Sequence, residues 1–530
     1  MKRKLLLLFL AFLFIKANAQ QEIYDFTPGN AGNFLQFNNK IFFTGNQQAT
    51  GGEIWQSDGT TSNTTLLKDI NPGIGDGGTL ESYTVLNDKL YFISKDENSL
   101  GEIWKTDGTE NGTEKVTSFI NGRAFKLTTV GNLIYFLLKK EDGILQVWKT
   151  DGTTTGTVVI KSLSFWERPS FEGTCNNTFI FSFQPAGSFN SRVWRSDGTS
   201  EGTFPITEEY DGNGSGFNNG VGGTPVLTQY IESNGKIYFA TRYLLFETDG
   251  TLENTKNIAT IRSEGTLIQY DDIIAVNDDL YLMFFINKGI VGNIKNLLIL
   301  KYNTLNKTIT TVYEKNANEY FFPSNFVKID NSLIFTTSNA TGGTELISLN
   351  LTDNAVLNIK QLAASTDLKD LPIGLVIRNA SIIKINNDEY FIFSGLDKNN
   401  NRKGCIYNSK AQTVENVSAL DNVREYFVFK DYLYYSKGNK FWKYANNLNT
   451  IDFDKKQSIV FYPNPSSDFM QLNVDNNDEI ENINVFDLNG RLLQTRSHSS
   501  QIDISPLPKG IYTAQIKWNG TLINKKIIKK

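Results

Sequence analysis

The chain has 530 residues, a formal net charge of −4, 12% aromatic residues and only two cysteines, Cys175 and Cys405. That length exceeds what one ordinary core covers, so several domains or a large repeat array is expected. The acidic balance argues against nucleic acid or an anionic membrane surface as the main partner, and two distant cysteines make no disulfide framework.

Residues 1–19 have the three parts of a secretory signal: a basic start (Lys2, Arg3, Lys4), an apolar run over residues 5–15, and small residues at Ala17 and Ala19. Cleavage after Ala19 leaves Gln20 as the first mature residue, and removing four bases (Lys2, Arg3, Lys4, Lys16) takes the formal charge from −4 to −8. Eleven apolar residues fall short of the roughly 20 that a spanning helix needs. No Cys follows the cleavage point to carry a lipid, and no later segment is apolar for long enough to be a transmembrane segment.

From residue 51 one phrase recurs: GGEIWQSDGTTSNT at 51–64, GEIWKTDGTENGT at 101–113, QVWKTDGTTTGT at 146–157, and RVWRSDGTSEGT at 192–203. The spacings of Trp55, Trp104, Trp148 and Trp194 are 49, 44 and 46 residues, the unit length of a propeller blade. A fifth copy, LLFETDGTLENT at 244–255, puts Phe246 at the Trp position and keeps Asp249 and Gly250. Around Leu300, Ile347, Tyr407 and Trp442 a strand pattern persists without the Asp-Gly-Thr turn.

Before each copy stands an aromatic strand led in by turn residues, beginning at 38, 87, 131, 176, 234, 278, 331, 387 and 430, nine in all. Runs of β-branched and aromatic residues between Gly, Asn and Asp read as short antiparallel strands. In the second unit the strands are expected at 83–86, 89–93, 102–106 and 115–119, innermost to outermost. Leu90 and Phe92 face one way and Tyr91 and Ile93 the other, so that strand is covered on both sides, as between stacked blades. The Trp then fills space between neighbouring blades.

Asp-Gly after the third strand is a hairpin turn, Gly accepting positive φ and the Asp carboxylate bonding local amides. This reading makes Asp58, Gly59, Asp107, Gly108, Asp151, Gly152, Asp197, Gly198, Asp249 and Gly250 turn-formers, against a calcium- or sugar-binding reading of the same acids. The fold class is therefore all-β: residues 20–452 form a propeller of eight or nine four-stranded blades, the most degenerate units closing the ring against the N-terminal strand. These phrases resemble the ELWxxDGT repeats of bacterial extracellular proteins, most fully from Gly52 through Trp55, Asp58, Gly59 and Thr60 to Asn71, Pro72 and Gly73. The resemblance implies a propeller-like fold and transfers no catalytic residue.

The one histidine, His498, lies near the C-terminus, so the repeats offer no His-based general base, triad or histidine metal site, and no cofactor is expected. Carboxylate chemistry survives, with Glu167 and Arg168 beside Trp166, or Glu208, Glu209 and Tyr210, as candidates; the plainer reading is solvated loops. A Gly-rich insertion at 211–225 is expected to be a loop over one face. Gly75, Asp76, Gly77 and Gly78 resemble one copy of a calcium repeat, not an array.

After a polar linker at 453–458, residues 459–530 carry Pro463, Asn464 and Pro465, then Asp487 and Gly490 in a hairpin turn, then Gly510 and Tyr512 opening a strand. About seven strands in a small Ig-like β-sandwich are expected. In order and combination these marks resemble the type A C-terminal sorting domain of the type IX secretion system. That implies binding to the secretion machinery, passage across the outer membrane of a Gram-negative bacterium, and removal of the domain with surface attachment or release. The expected function is a secreted or surface-displayed binding or adhesion protein holding a glycan, peptide or surface protein. The alternatives are a carbohydrate-active glycosidase or lyase using carboxylates, and a structural surface-layer component.

Overall fold

The computed structural model describes residues 20–97, 99–119, 121–185, 192–207, 230–240, 244–261, 267–287, 295–317, 326–338, 344–362, 368–371, 382–385, 388–430, 432–444, 461–462, 464–472, 480–487, 491–518 and 521–530. The chain divides into two compact units, 1–449 and 450–530. The signal segment with Ala19, the linker at 453–458, the insertion at 211–225, the Glu208 to Tyr210 trio, Pro463 and Gly490 lie outside the described residues.

The first unit is a β-propeller of nine four-stranded antiparallel blades, counted over the described residues. Each of the nine aromatic phrases becomes the second strand of a blade: Lys40–Gln47, Lys89–Ser94, Leu133–Lys140, Thr178–Pro185, Lys236–Ala240, Asp279–Asn287, Ser332–Ser338, Asp388–Asp397 and Tyr432–Lys437. Among the described residues the turns leading in carry positive φ, as at Asn38 (44°) with Asn39 (59°) and Asn87 (48°) with Asp88 (56°). A two-residue type I′ hairpin needs that conformation at both central residues, which matches the twist of the strands.

In the second blade the third strand, Glu102–Thr106, lies where expected. The innermost strand, Gly78–Leu86, is longer than the sequence suggested and the outermost, Glu114–Lys115, shorter. The shortening has a local cause: the Thr117 hydroxyl, in place of a backbone carbonyl, accepts Ile103 N at 2.8 Å and ends the ladder. Strand Val158–Cys175 serves two blades, its first part pairing with Ile144–Thr150 and its second with Thr178–Pro185.

The cores lie between blades. Leu90 and Phe92 pack with Leu35, Phe37, Phe42 and Ile54 of the first blade, whereas Tyr91 and Ile93 pack with Ile134, Phe136 and Leu138 of the third. The same two-sided packing recurs from blade to blade as far as the eighth. The ring closes through Gln20–Asp25, which pairs with Lys440–Tyr444 and becomes the outermost strand of the ninth blade. Ile23 and Phe26, both fully buried, join Phe429, Tyr434 and Phe441 of that blade to Ile41, Phe43 and Trp55 of the first. Antiparallel order places the Asp-Gly-Thr loops and the first hairpins of all blades on one face, and the blade-to-blade connectors on the other.

Among its described residues the second unit has seven strands in two sheets: Phe461–Tyr462, Phe469–Leu472 and Gln501–Asp503 in one, and Leu492–Ser497, Ile480–Phe486, Gly510–Trp518 and Thr521–Lys529 in the other. Met470, Leu472 and Ile502 of the first sheet share a core with Ile483, Val485, Tyr512, Ala514 and Ile516 of the second. Along Gly510–Trp518 the even-numbered residues from Tyr512 to Ile516 face that core, while Ile511 is exposed.

Candidate functional site

The five repeat loops share one hydrogen-bond plan. Asp107 Oδ1 accepts Thr109 N at 2.9 Å and Thr109 Oγ1 at 2.7 Å, and the buried Thr106 hydroxyl accepts Gly108 N at 2.9 Å. The Thr113 hydroxyl bonds Thr106 Oγ1 at 2.8 Å and donates to Thr109 O at 2.6 Å. Asp58, Asp151, Asp197 and Asp249 accept from Thr60, Thr153, Thr199 and Thr251 in the same way. The Thr109 hydroxyl, then the Thr109 amide, hold the Asp107 carboxyl below its ordinary value; Thr153 does the same for Asp151.

Each loop also docks on the preceding blade. Gly152, at φ 89°, sits so close to Tyr91 that a Cβ would lie 2.0 Å from its Oη, and Gly59 meets Tyr434 across the closing interface at the same 2.0 Å. Lys105 donates to Gly152 O at 2.9 Å and Lys149 to Gly198 O at 2.7 Å, each reaching into the next blade's loop. Asn38 and Asn176 donate to the carbonyls of Asp107 and Asp249. Sequence reasoning missed these lysines and tyrosines as clamps. Their signal was present: Lys105 and Lys149 follow the Trp in two copies of the phrase, with Arg195 in a third.

The tryptophans lie between their own blade and the preceding one. Trp55 is 4% and Trp104 8% exposed, and their Nε1 atoms are buried without an acceptor. Trp148 Nε1 donates to Gln146 Oε1 at 3.1 Å, and Trp194 stacks on Phe181. Phe246 takes the same role in the fifth blade, stacked on Phe239 at 5.3 Å.

Innermost strands bulge, and a bulge frees backbone N–H groups. At the closing interface Glu425 accepts Asn33 N at 3.0 Å and Phe34 N at 3.4 Å, between bulges of the ninth and first blades. Ser82 Oγ accepts Leu127 N at 3.0 Å, and Asp272, whose carboxyl burial pushes up to about 6, accepts Phe326 N at 2.6 Å. Asp76, in the segment resembling a calcium repeat, accepts Gly52 N at 2.8 Å. Among the described residues no group of three or more His, Cys, Asp and Glu is placed to hold a metal ion. The backbone of Trp166, Glu167 and Arg168 runs in the shared strand Val158–Cys175; their side chains lie outside the described residues.

In the second unit Asn464 Oδ1 accepts Ile528 N at 3.0 Å, and Ser466, which follows Pro465, bonds the last strand through Ile528 O and Lys530 N. Asp487 Oδ1 accepts Arg491 N at 2.9 Å across the hairpin, and Tyr512 Oη donates to Pro508 O at 2.7 Å. The motif residues thus tie turns and chain ends of a small sandwich together.

Residues 460–530 match the family of the secretion system C-terminal sorting domain. The protein carries a type IX secretion C-terminal sorting domain and is secreted or displayed at the cell surface, with the secretion machinery as a partner. No curated protein matches the chain in sequence. Similar solved structures include a prolyl endopeptidase (TM-score 0.39, 11% identity, 74% of this chain and 56% of that one) and oligopeptidase B from Leishmania major (0.37, 8%, 73% and 54%). A putative 6-phosphogluconolactonase from Bacteroides fragilis is also similar (0.33, 14%, 61% and 95%). The chain spans just over half the length of those two peptidases. Among the described residues no helix is long and apolar enough to cross a membrane.

Proposed function

We propose that this protein is a binding or adhesion protein of the cell surface or the medium, with an ELWxxDGT-type propeller as its scaffold. The observation that supports this is the use of the repeated acids. In all five loops the Asp oxygen faces donors of its own loop, so the groups common to the blades serve cohesion. Recognition then falls to segments that differ between blades, as in other scaffolds that present variable loops on a rigid frame. The ligand is a glycan, a peptide or another surface protein. Type A identity of residues 459–530, and their removal near 453–458, belong to the same proposal.

The test is a glycan and peptide array on the purified 20–458 fragment, run beside hydrolysis assays. Saturable binding without turnover supports the reading. Turnover abolished by Glu167→Gln or by Glu208→Gln overturns it in favour of a carboxylate enzyme, and self-assembly with no ligand overturns it in favour of a structural surface component.

A further inference from the structure

The connector from the first blade to the second, residues 69–78, is pinned to strand Gly51–Ser57 by a hub of carboxylates. Glu53, 0% exposed, accepts the backbone N–H of Ile70 and of Asn71, each at 3.2 Å. Asp76 Oδ1 accepts Gly52 N at 2.8 Å, Asn71 Nδ2 donates to Asp76 O at 3.3 Å, and Gly77 N donates to Gly52 O at 2.9 Å. A Cβ on Gly77 would lie 2.2 Å from Glu53 Oε1, and one on Gly75 would lie 2.3 Å from Asn71 Nδ2, so the connector has no slack.

This hub holds acids without a matching base. Asp69 lies close enough to act on Glu53 by charge, and its Oδ1 is buried with no hydrogen-bond donor. Among the described residues no Lys or Arg pairs with Glu53. Lys68, the neighbour of Asp69 in the chain, donates instead to Glu110 O and Thr113 O of the second blade. Lys95 of the second blade meets the connector through its backbone N–H, bonded to Gly77 O at 2.9 Å. Burial raises the Glu53 carboxyl to about 7, the Asp69 charge adding to it against the N–H groups of Ile70 and Asn71.

We infer that this connector is a proton-controlled latch, closed on the first blade while Glu53 holds its proton and released as Glu53 ionises beside Asp69. The direction follows from linkage. A carboxyl whose value in the closed form lies above its free value of 4.5 stabilises that form fully below pH 4.5, and the stabilisation is lost as pH rises through about 7. The same position in the second blade is built differently: Glu102, 1% exposed, receives the Thr117 hydroxyl at 2.5 Å and Phe119 N at 2.7 Å.

Hydrogen exchange of the purified full-length chain, corrected for the intrinsic pH dependence, tests the latch between pH 6 and pH 8. Opening of residues 69–78 is expected to become about tenfold more favourable over that range, the ratio that linkage gives for a carboxyl titrating near 7 in the closed form and near 4.5 in the open one. Glu53→Gln, which keeps shape without charge, abolishes the rise, and Asp69→Asn, by lowering the closed-form value, makes the rise level off at lower pH. A wild-type connector indifferent to pH, or a rise that survives Glu53→Gln, overturns the inference. Should Glu53→Gln fail to fold, the pH at which the rise levels off in Asp69→Asn decides, and an unmoved levelling-off counts against the latch.

Discussion

The N-terminal strand Gln20–Asp25 does in space what no neighbour in sequence can do, completing the ninth blade, and Phe26 is the residue that anchors its end. Its ring is fully buried, lies edge-on to Phe43 at 5.9 Å and to Trp55 at 5.0 Å, and its backbone N–H donates to Asn439 O at 2.8 Å. In Phe26→Ala the lost transfer of the ring is worth about 2–3 kcal/mol. Each roughly 50 Å3 of cavity left unfilled adds about 1.2 kcal/mol. The expected loss is therefore about 3–5 kcal/mol, read by urea denaturation of the mature chain with tryptophan fluorescence, since Trp55 borders the cavity. Ile74→Ala, at a side chain 84% exposed, is the control and is expected to change stability by less than about 0.5 kcal/mol. A Phe26→Ala loss below about 1 kcal/mol would mean that this strand does not close the ring in solution, and the account of closure would fall with it.

Trp104→Ala is expected to cost about 3–5 kcal/mol and Trp104→Phe about 1 kcal/mol in the same assay, because its buried Nε1 has no acceptor to lose and Phe246 fills the equivalent place; equal losses for the two would refute inter-blade wedging. Asp107→Ala removes an acceptor of two loop donors and is expected to cost about 1 kcal/mol at neutral pH. Because Thr109 holds that carboxyl below its ordinary 3.8, its contribution is present above pH 3.8 and is lost as pH falls through the lower folded value, so the variant's acid limb of stability against pH should be flatter than the wild type's. Deleting 459–530 is expected to leave the propeller in the periplasm when cell fractions are probed, and propeller still reaching the surface would refute sorting by this domain.

Local chemistry made much of this fold legible in the chain itself. Asn, Asp, Gly or Lys turn residues before an aromatic run mark a hairpin and the strand behind it, which is why all nine second strands could be read, including those in the degenerate units after residue 265. Alternation along residues 90–93 told which side chains share a face, because the side-chain period of a strand is two, and the structure supplied the neighbour on each side. The marks of the C-terminal domain were legible for a similar reason: its prolines, its Asp-Leu-Asn-Gly turn and the alternation after Gly510 each act within a few residues.

Other features depend on residues distant in sequence and only the tertiary structure decided them. Glu425 meets Asn33 and Phe34, and Gln20–Asp25 pairs with Lys440–Tyr444, across nearly the whole propeller; no local propensity encodes such partners. Lys105 finds its acceptor, Gly152 O, only when the next blade's loop is brought beside it. Glu53 read as one letter of a repeated phrase. Burial against the connector, beside a second acid, is what changes its proton affinity, because desolvation depends on what folds over a group and not on the residues beside it in the chain.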